Sequence, residues 1–171
     1  DTIMRNIPSI IIVLICITGS WFGFPNPVMH LPPLVLLLPA MLFILASRSP
    51  NWRKAFRSGY FTGGAAMAAP LYWVALPVHI YGGLPMALAG ACPILVGLVL
   101  GLFTGFYTLS ANLAARRLPP IIAAIAAGLA WGVSEYLRSI LFTGFPWNVL
   151  PSAFAPWPMA IQSLAYVGVF G

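Results

Sequence analysis

The chain has 171 residues, of which 61% are hydrophobic and only 6% charged, and its mean hydropathy is +0.96. Soluble domains carry roughly a quarter charged residues, so a water-facing fold of this size lacks the polar side chains to cover its surface, and lipid is the solvent that fits. The net charge of +6 argues for no nucleic acid partner, because the basic residues are scattered between apolar runs rather than gathered in a stripe with aromatic neighbours.

A helix rising about 1.5 Å per residue needs roughly 20 residues to cross a hydrocarbon core about 30 Å thick. Residues 7–24 form the first charge-free run of that order, and no small-residue cleavage site follows it. Residues 31–47 form the second, with Pro32, Pro33 and Pro39 bending or delaying its start. Between Arg57 and Arg116 the ionisable group that titrates near neutrality is His79. That interval is too long for one span, and Tyr81-Gly82-Gly83-Leu84-Pro85 supplies turn residues in its middle. It reads as a helical hairpin of residues 58–78 and 86–115, with kinks expected at Pro70, Pro77 and Pro93. A fifth span covers residues 119–138, and a proline- and aromatic-rich loop covers 143–158. The last apolar stretch, from Met159 to Gly171, covers about two-thirds of a crossing, so the chain reads as a truncated sequence. The expected fold is all-α: a polytopic transmembrane bundle over residues 1–171, with five complete spans and a partial sixth.

Arg5, Arg48, Arg53, Lys54, Arg57, Arg116 and Arg117 fall on one side of this map, and Arg138 alone on the other. Lysine and arginine are retained on the cytoplasmic face during insertion, which predicts a cytoplasmic amino terminus. Gly59 and Gly63, then Gly97, Gly101 and Gly105, and Gly128 and Gly132 repeat at four-residue spacing, putting small residues on one helix face for close packing.

Glu135 is the only acidic residue after Asp1, and it precedes Arg138 by three positions, so the two share a helix face and can pair. Ionisable groups at that depth face a protein interior or a polar cavity; the pair either fixes the helix end or lines a site for a charged headgroup or peptide. His79 follows Pro77 at an outer helix end, where an interfacial anchor is the commoner role. Tyr72, Trp73, Phe145 and Trp147 fall near outer ends, as an interfacial aromatic belt requires. Cys16 and Cys92 sit inside apolar runs and read as small buried hydrophobes. The sequence carries no metal-ligand cluster and no cofactor fingerprint.

The segment Glu135-Tyr136-Leu137-Arg138-Ser139-Ile140-Leu141-Phe142-Thr143-Gly144-Phe145-Pro146-Trp147-Asn148 resembles the membrane signature of bacterial apolipoprotein N-acyltransferases, a run close to E-W-L-R-G-x-L-F-T-G-F-P-W. Leu71-Tyr72-Trp73 with His79 to Pro85 is similar to the family's third-to-fourth span hairpin, and Arg53 to Gly59 to the basic turn before it. Gln162 and Gly168 to Gly171 resemble its sixth span. Tyr136 and Ser139 depart from the commoner tryptophan and glycine. The resemblance implies a transferase that moves an acyl chain from a phospholipid donor to the amino group of the diacylglyceryl-cysteine of an apolipoprotein, in the bacterial inner membrane, with its active side periplasmic. It implies a nitrilase-like domain carrying a catalytic glutamate, lysine and cysteine; this chain holds none of them, and Cys16 and Cys92 match no family nucleophile. Glu135, Arg138, Phe145, Pro146, Trp147, His79, Tyr72 and Trp73 are then the candidates for a substrate-positioning outer rim. The alternative is a non-catalytic membrane scaffold or partner subunit whose glycine faces bind other helices.

Overall fold

The computed structural model describes residues 7–141, 144–162 and 164–168. Among them every regular element is helical. Arg5, Phe142, Thr143 and the closing residues 169–171 lie outside that range.

Helix α1 (Ser9–Gly23) is the first apolar run. Asn26 then ties the connection: its amide donates to Trp21 O at 2.8 Å and Met29 O at 2.6 Å, while its carbonyl oxygen accepts from Val28 N and Met29 N. Pro32 and Pro33 remove backbone donors, so the chain starts as a 3-10 segment, Pro32–Leu36, before continuing as α2 (Leu37–Arg48). Helix α3 (Trp52–Ala68) passes through a 3-10 stretch, Ala69–Val74, into α4 (Ala75–Ile80). After the short α5 (Met86–Ala89) come α6 (Cys92–Arg117) and α7 (Pro120–Ile140). The remainder is α8 (Leu150–Ala153), a 3-10 turn at Pro158–Ile161 and α9 (Leu164–Val167).

Among the described residues, three helical rods are long and apolar enough to cross a membrane: Trp52–Ile80, Met86–Arg117 and Pro120–Ile140. The expected count of five plus a partial sixth is not supported. Ser9–Gly23 has 15 residues, which at 1.5 Å per residue gives about 22 Å, and the prolines divide the second run into two shorter helical pieces. Two further differences have local causes. Asn51 accepts a hydrogen bond from Lys54 N at 2.9 Å, an N-cap that starts α3 at Trp52. Arg53, Lys54 and Arg57 therefore belong to a helix rather than to a turn before it. Pro93 stands in the first turn of α6, where its missing N–H would be unpaired anyway, and so begins that helix instead of kinking it.

The most extensive helix pairing is α3 against α6. A Cβ added at Gly64 would lie 2.8 Å from Gly97 O, and one at Gly97 would lie 2.7 Å from both Ala68 Cβ and Gly64 O. Backbones this close admit glycine and little else. Across the same seam Thr104 Oγ1 donates to Gly59 O at 3.0 Å and Thr108 Oγ1 to Ala55 O at 2.9 Å. Gly128 meets nothing within 4 Å and takes no part in this packing.

At the seam's far end Asn112 Nδ2 donates to Ala46 O and Ser49 O, and Arg116 Nη2 to Ser49 O and Pro50 O. These bonds hold the α2–α3 and α6–α7 connections at one end of the bundle. The core includes Ile12 and Cys16 from α1, Leu38 and Leu42 from α2, Met67 from α3, Leu100 and Tyr107 from α6, and Trp131 from α7.

Candidate functional site

Helix α7 buries Ala123, Ala127, Trp131, Glu135 and Arg138, steps of four, four, four and three residues that trace one stripe. Ile121, Ile125, Leu129 and Val133 remain exposed on its other side. The stripe is apolar until its last turn, where it delivers a carboxylate and a guanidinium. Glu135 is 4% exposed and Arg138 3%.

Beyond Ile140 the chain folds back over that turn. Phe145 N donates to Arg138 O at 2.9 Å and Gly144 N to Leu141 O at 2.9 Å. Gly144 has φ +82, and a Cβ there would stand 2.5 Å from Ser139 O, so only glycine permits this reversal. Asn148 follows with φ 57, a conformation that asparagine tolerates better than other side chains.

The returning loop closes on the pair. Glu135 Oε1 lies 3.7 Å from Arg138 Nη2 and accepts a hydrogen bond from Leu150 N at 2.9 Å. Arg138 Nη2 donates to Asn148 O at 3.1 Å, and Nη1 lies 3.6 Å from Met67 Sδ. Asn148 Nδ2 donates to Met67 O at 3.5 Å, which fastens the loop to α3. Buried charges survive only when paired and hydrogen-bonded, and this cluster meets that condition on most sides. One donor is left over: Arg138 Nε is buried without a hydrogen-bond partner.

Arg138 also lines a cavity of about 150 Å³ whose other walls are Val96, Val99, Leu100 and Phe103 of α6, with Leu141 and Phe145. The arrangement is one guanidinium in a hydrocarbon-lined cleft. Such a cleft suits a ligand with an oxygen at one end and an alkyl chain at the other.

Several candidate residues gather around this loop. Phe145 and Trp147 pack edge to face with ring centroids 5.1 Å apart, and Trp147 meets Trp73 in the same way at 6.1 Å. Tyr72 packs in a tilted arrangement against Trp21, with ring centroids 4.9 Å apart, and Pro146 is exposed beside Trp147. His79 is exposed, and its Nδ1 lies 2.7 Å from Leu84 O, closing the turn between α4 and α5. No hydrogen bond links His79 to the Glu135–Arg138 cluster among the described residues. Sequence reasoning missed Met67, Asn148 and Leu150 N. An asparagine directly after Phe-Pro-Trp was a signal for a left-handed turn; nothing local marked Met67. Both cysteines are free: Cys16 is buried in the core and Cys92 Sγ lies 3.9 Å from Leu88 O. Among the described residues no three of His, Cys, Asp and Glu gather as a metal site would require.

The family model described as the apolipoprotein N-acyltransferase N-terminal domain matches residues 18–171. The chain belongs to the apolipoprotein N-acyltransferase family. It is 38% identical over 124 residues to the apolipoprotein N-acyltransferase of Coxiella burnetii, covering 69% of this chain and 24% of that protein. It is 36% identical over 129 residues to that of Verminephrobacter eiseniae, covering 74% and 23%, and 35% identical over 151 residues to that of Geobacter metallireducens, covering 87% and 28%. The chain thus spans about a quarter of the length of these relatives, and the part matched is the family's amino-terminal domain. Among the described residues, the three long apolar helices are consistent with a membrane protein.

Proposed function

We propose that this chain is the membrane part of an enzyme that transfers an acyl chain from a phospholipid to the amino-terminal diacylglyceryl-cysteine of a bacterial lipoprotein. Its share of the work is to hold a catalytic domain at the periplasmic surface of the inner membrane and to position the lipid beneath it. The observation that carries this reading is the Arg138 cleft. Arg138, whose buried Nε has no hydrogen-bond partner, is among the residues lining a hydrocarbon-walled space, and a phospholipid offers ester and phosphate oxygens next to an alkyl chain. Charge-assisted hydrogen bonds of this kind are the stronger ones.

The orientation follows from charge. Arg116 bonds the α2–α3 connection, so Arg48, Arg53, Lys54, Arg57, Arg116 and Arg117 share one end of the bundle, while Arg138 stands at the other end of α7. The positive-inside rule then makes the first end cytoplasmic and the Arg138 end periplasmic. In this reading α1 and the Pro32–Arg48 segment cross as a short pair packed against the long rods, giving five crossings. Phe145, Pro146, Trp147, Trp73 and Tyr72 form an aromatic rim at the outer interface, with His79 fixing the adjoining turn.

The test uses the full-length protein. Arg138→Ala is expected to lower kcat/KM for acyl transfer about tenfold or more, the worth of a hydrogen bond to a charged group. Trp147→Ala is expected to lower it less, through KM. If both variants keep wild-type substrate affinity and turnover while remaining folded, the rim does not position the lipid.

A further inference from the structure

At the other end of the bundle, α3 begins with an arrangement that is electrostatically unfavourable in isolation. A helix amino terminus carries partial positive charge and favours acidic side chains. The first turn of α3 has none; it has Arg53 and Lys54 instead. Arg57 follows at i+4 from Arg53 and i+3 from Lys54, so three cations stand on one face, where like charges repel. Glu135, the acidic residue among those described, is committed to Arg138. The other basic side chains nearby are used differently: Arg48 Nη1 donates to Ile7 O at 2.9 Å, and Arg116 bonds Ser49 O and Pro50 O.

The three cations line an open groove of about 580 Å³, continued one turn further by Ser58, Phe61 and Thr62. Phe61 is 60% exposed and gives the groove an apolar floor on the membrane side of the charges. The Arg53 guanidinium stands over the Trp52 ring, 5.2 Å from its centroid, a pairing suited to the lipid–water interface. Retention of positive charge on one face of the membrane needs only lysine and arginine in the connecting segments, as Arg117 supplies. It does not need convergence on one helix face above an aromatic ring.

We propose that this groove is a binding site for an anionic phospholipid, its headgroup phosphate held by Arg53, Lys54 and Arg57 and the start of an acyl chain lying on Phe61. The site lies at the opposite end of α3 from Met67 and the Arg138 cleft; it rests on α3 crossing the bilayer and not on the acyl-transfer reading.

The full-length protein, purified in detergent, is mixed with phosphatidylglycerol or phosphatidylcholine of matched chains, and retained lipid is counted by native mass spectrometry. One phosphatidylglycerol is expected in preference to phosphatidylcholine. Arg57→Gln should weaken it roughly fivefold, the typical effect of one cation at an anionic surface. Arg57→Lys, which keeps the charge, and Arg117→Gln, which removes a charge from the same end outside the groove, should retain it. An equal loss in Arg117→Gln would reduce the effect to general surface charge and overturn the site. Binding unchanged in Arg57→Gln would do the same. Displacement of the lipid by an equal concentration of inorganic phosphate would show a free-anion site without a lipid component, and the assignment to phospholipid would fail.

Discussion

Along the α3–α6 seam the polar partners are threonine hydroxyls and backbone carbonyls, whereas at the end of α7 they are a carboxylate and a guanidinium. The seam brings backbones together through Gly64 and Gly97, and Thr104 and Thr108 donate across it. The α7 end is held by a loop returning from residues 144–150, and it leaves Arg138 Nε without a partner. In a bilayer every unmet donor is costly. A region with all its donors met can serve as framework, and a region that keeps a donor in reserve beside a cavity can serve as a site. The difference teaches where to look for ligand chemistry in a chain with so few charges.

The largest effect should come from Glu135→Ala, which strands a buried cation and leaves Leu150 N without its acceptor. Removing one member of a buried pair costs about 3–5 kcal/mol, read as a fall in the unfolding midpoint of the full-length protein. The double variant Glu135→Leu with Arg138→Met replaces the pair by apolar side chains and should recover most of that loss, yet it should not recover acyl transfer. Recovery of both would make the pair a mere helix brace and erase the contrast with the seam.

Next in size is Gly97→Val. Its added carbons meet Ala68 Cβ and Gly64 O, so the seam must open, at a cost of about 1–3 kcal/mol typical of overpacking. The matched change Gly128→Val faces open space and should stay near wild type in the same unfolding measurement.

These two glycines mark how far the sequence could be read. Four-residue spacing correctly pointed to packed faces at Gly59, Gly63, Gly97, Gly101 and Gly105, but it included Gly128, because spacing does not say which face meets a neighbour. The hairpin around Gly82-Gly83 and the α7 rod were legible from apolar length and turn residues. The start of α3 was not: the charges of Arg53, Lys54 and Arg57 suggested a loop, and the Asn51 cap that overrides them was overlooked. At the candidate site the Glu135–Arg138 pairing was visible from their spacing. Closure by Met67, 71 positions from Arg138, depends on tertiary packing that no local pattern encodes.

Asn148 gives a smaller effect with a sign that separates backbone from side chain. At φ 57, Asn148→Ala should cost about 1 kcal/mol in strain, while Asn148→Gly removes the strain and loses only the long bond to Met67 O. If both variants destabilise equally, the side-chain bond rather than the left-handed turn fixes the loop.

The smallest expected effect tests the framework side of the contrast. Thr104→Val keeps the shape of the side chain and removes the hydroxyl that donates to Gly59 O. Interhelical hydrogen bonds within membranes average about 0.6 kcal/mol, and Gly59 O retains its acceptor role inside α3 when the threonine is gone. The cost should therefore be well below that of Gly97→Val, because close backbone contact, and not the hydroxyl, supplies most of the seam's strength. A loss above about 2 kcal/mol, outside the measured range for such bonds, would reverse that ranking. The seam would then be a polar interface that depends on each donor as the Glu135–Arg138 cluster does.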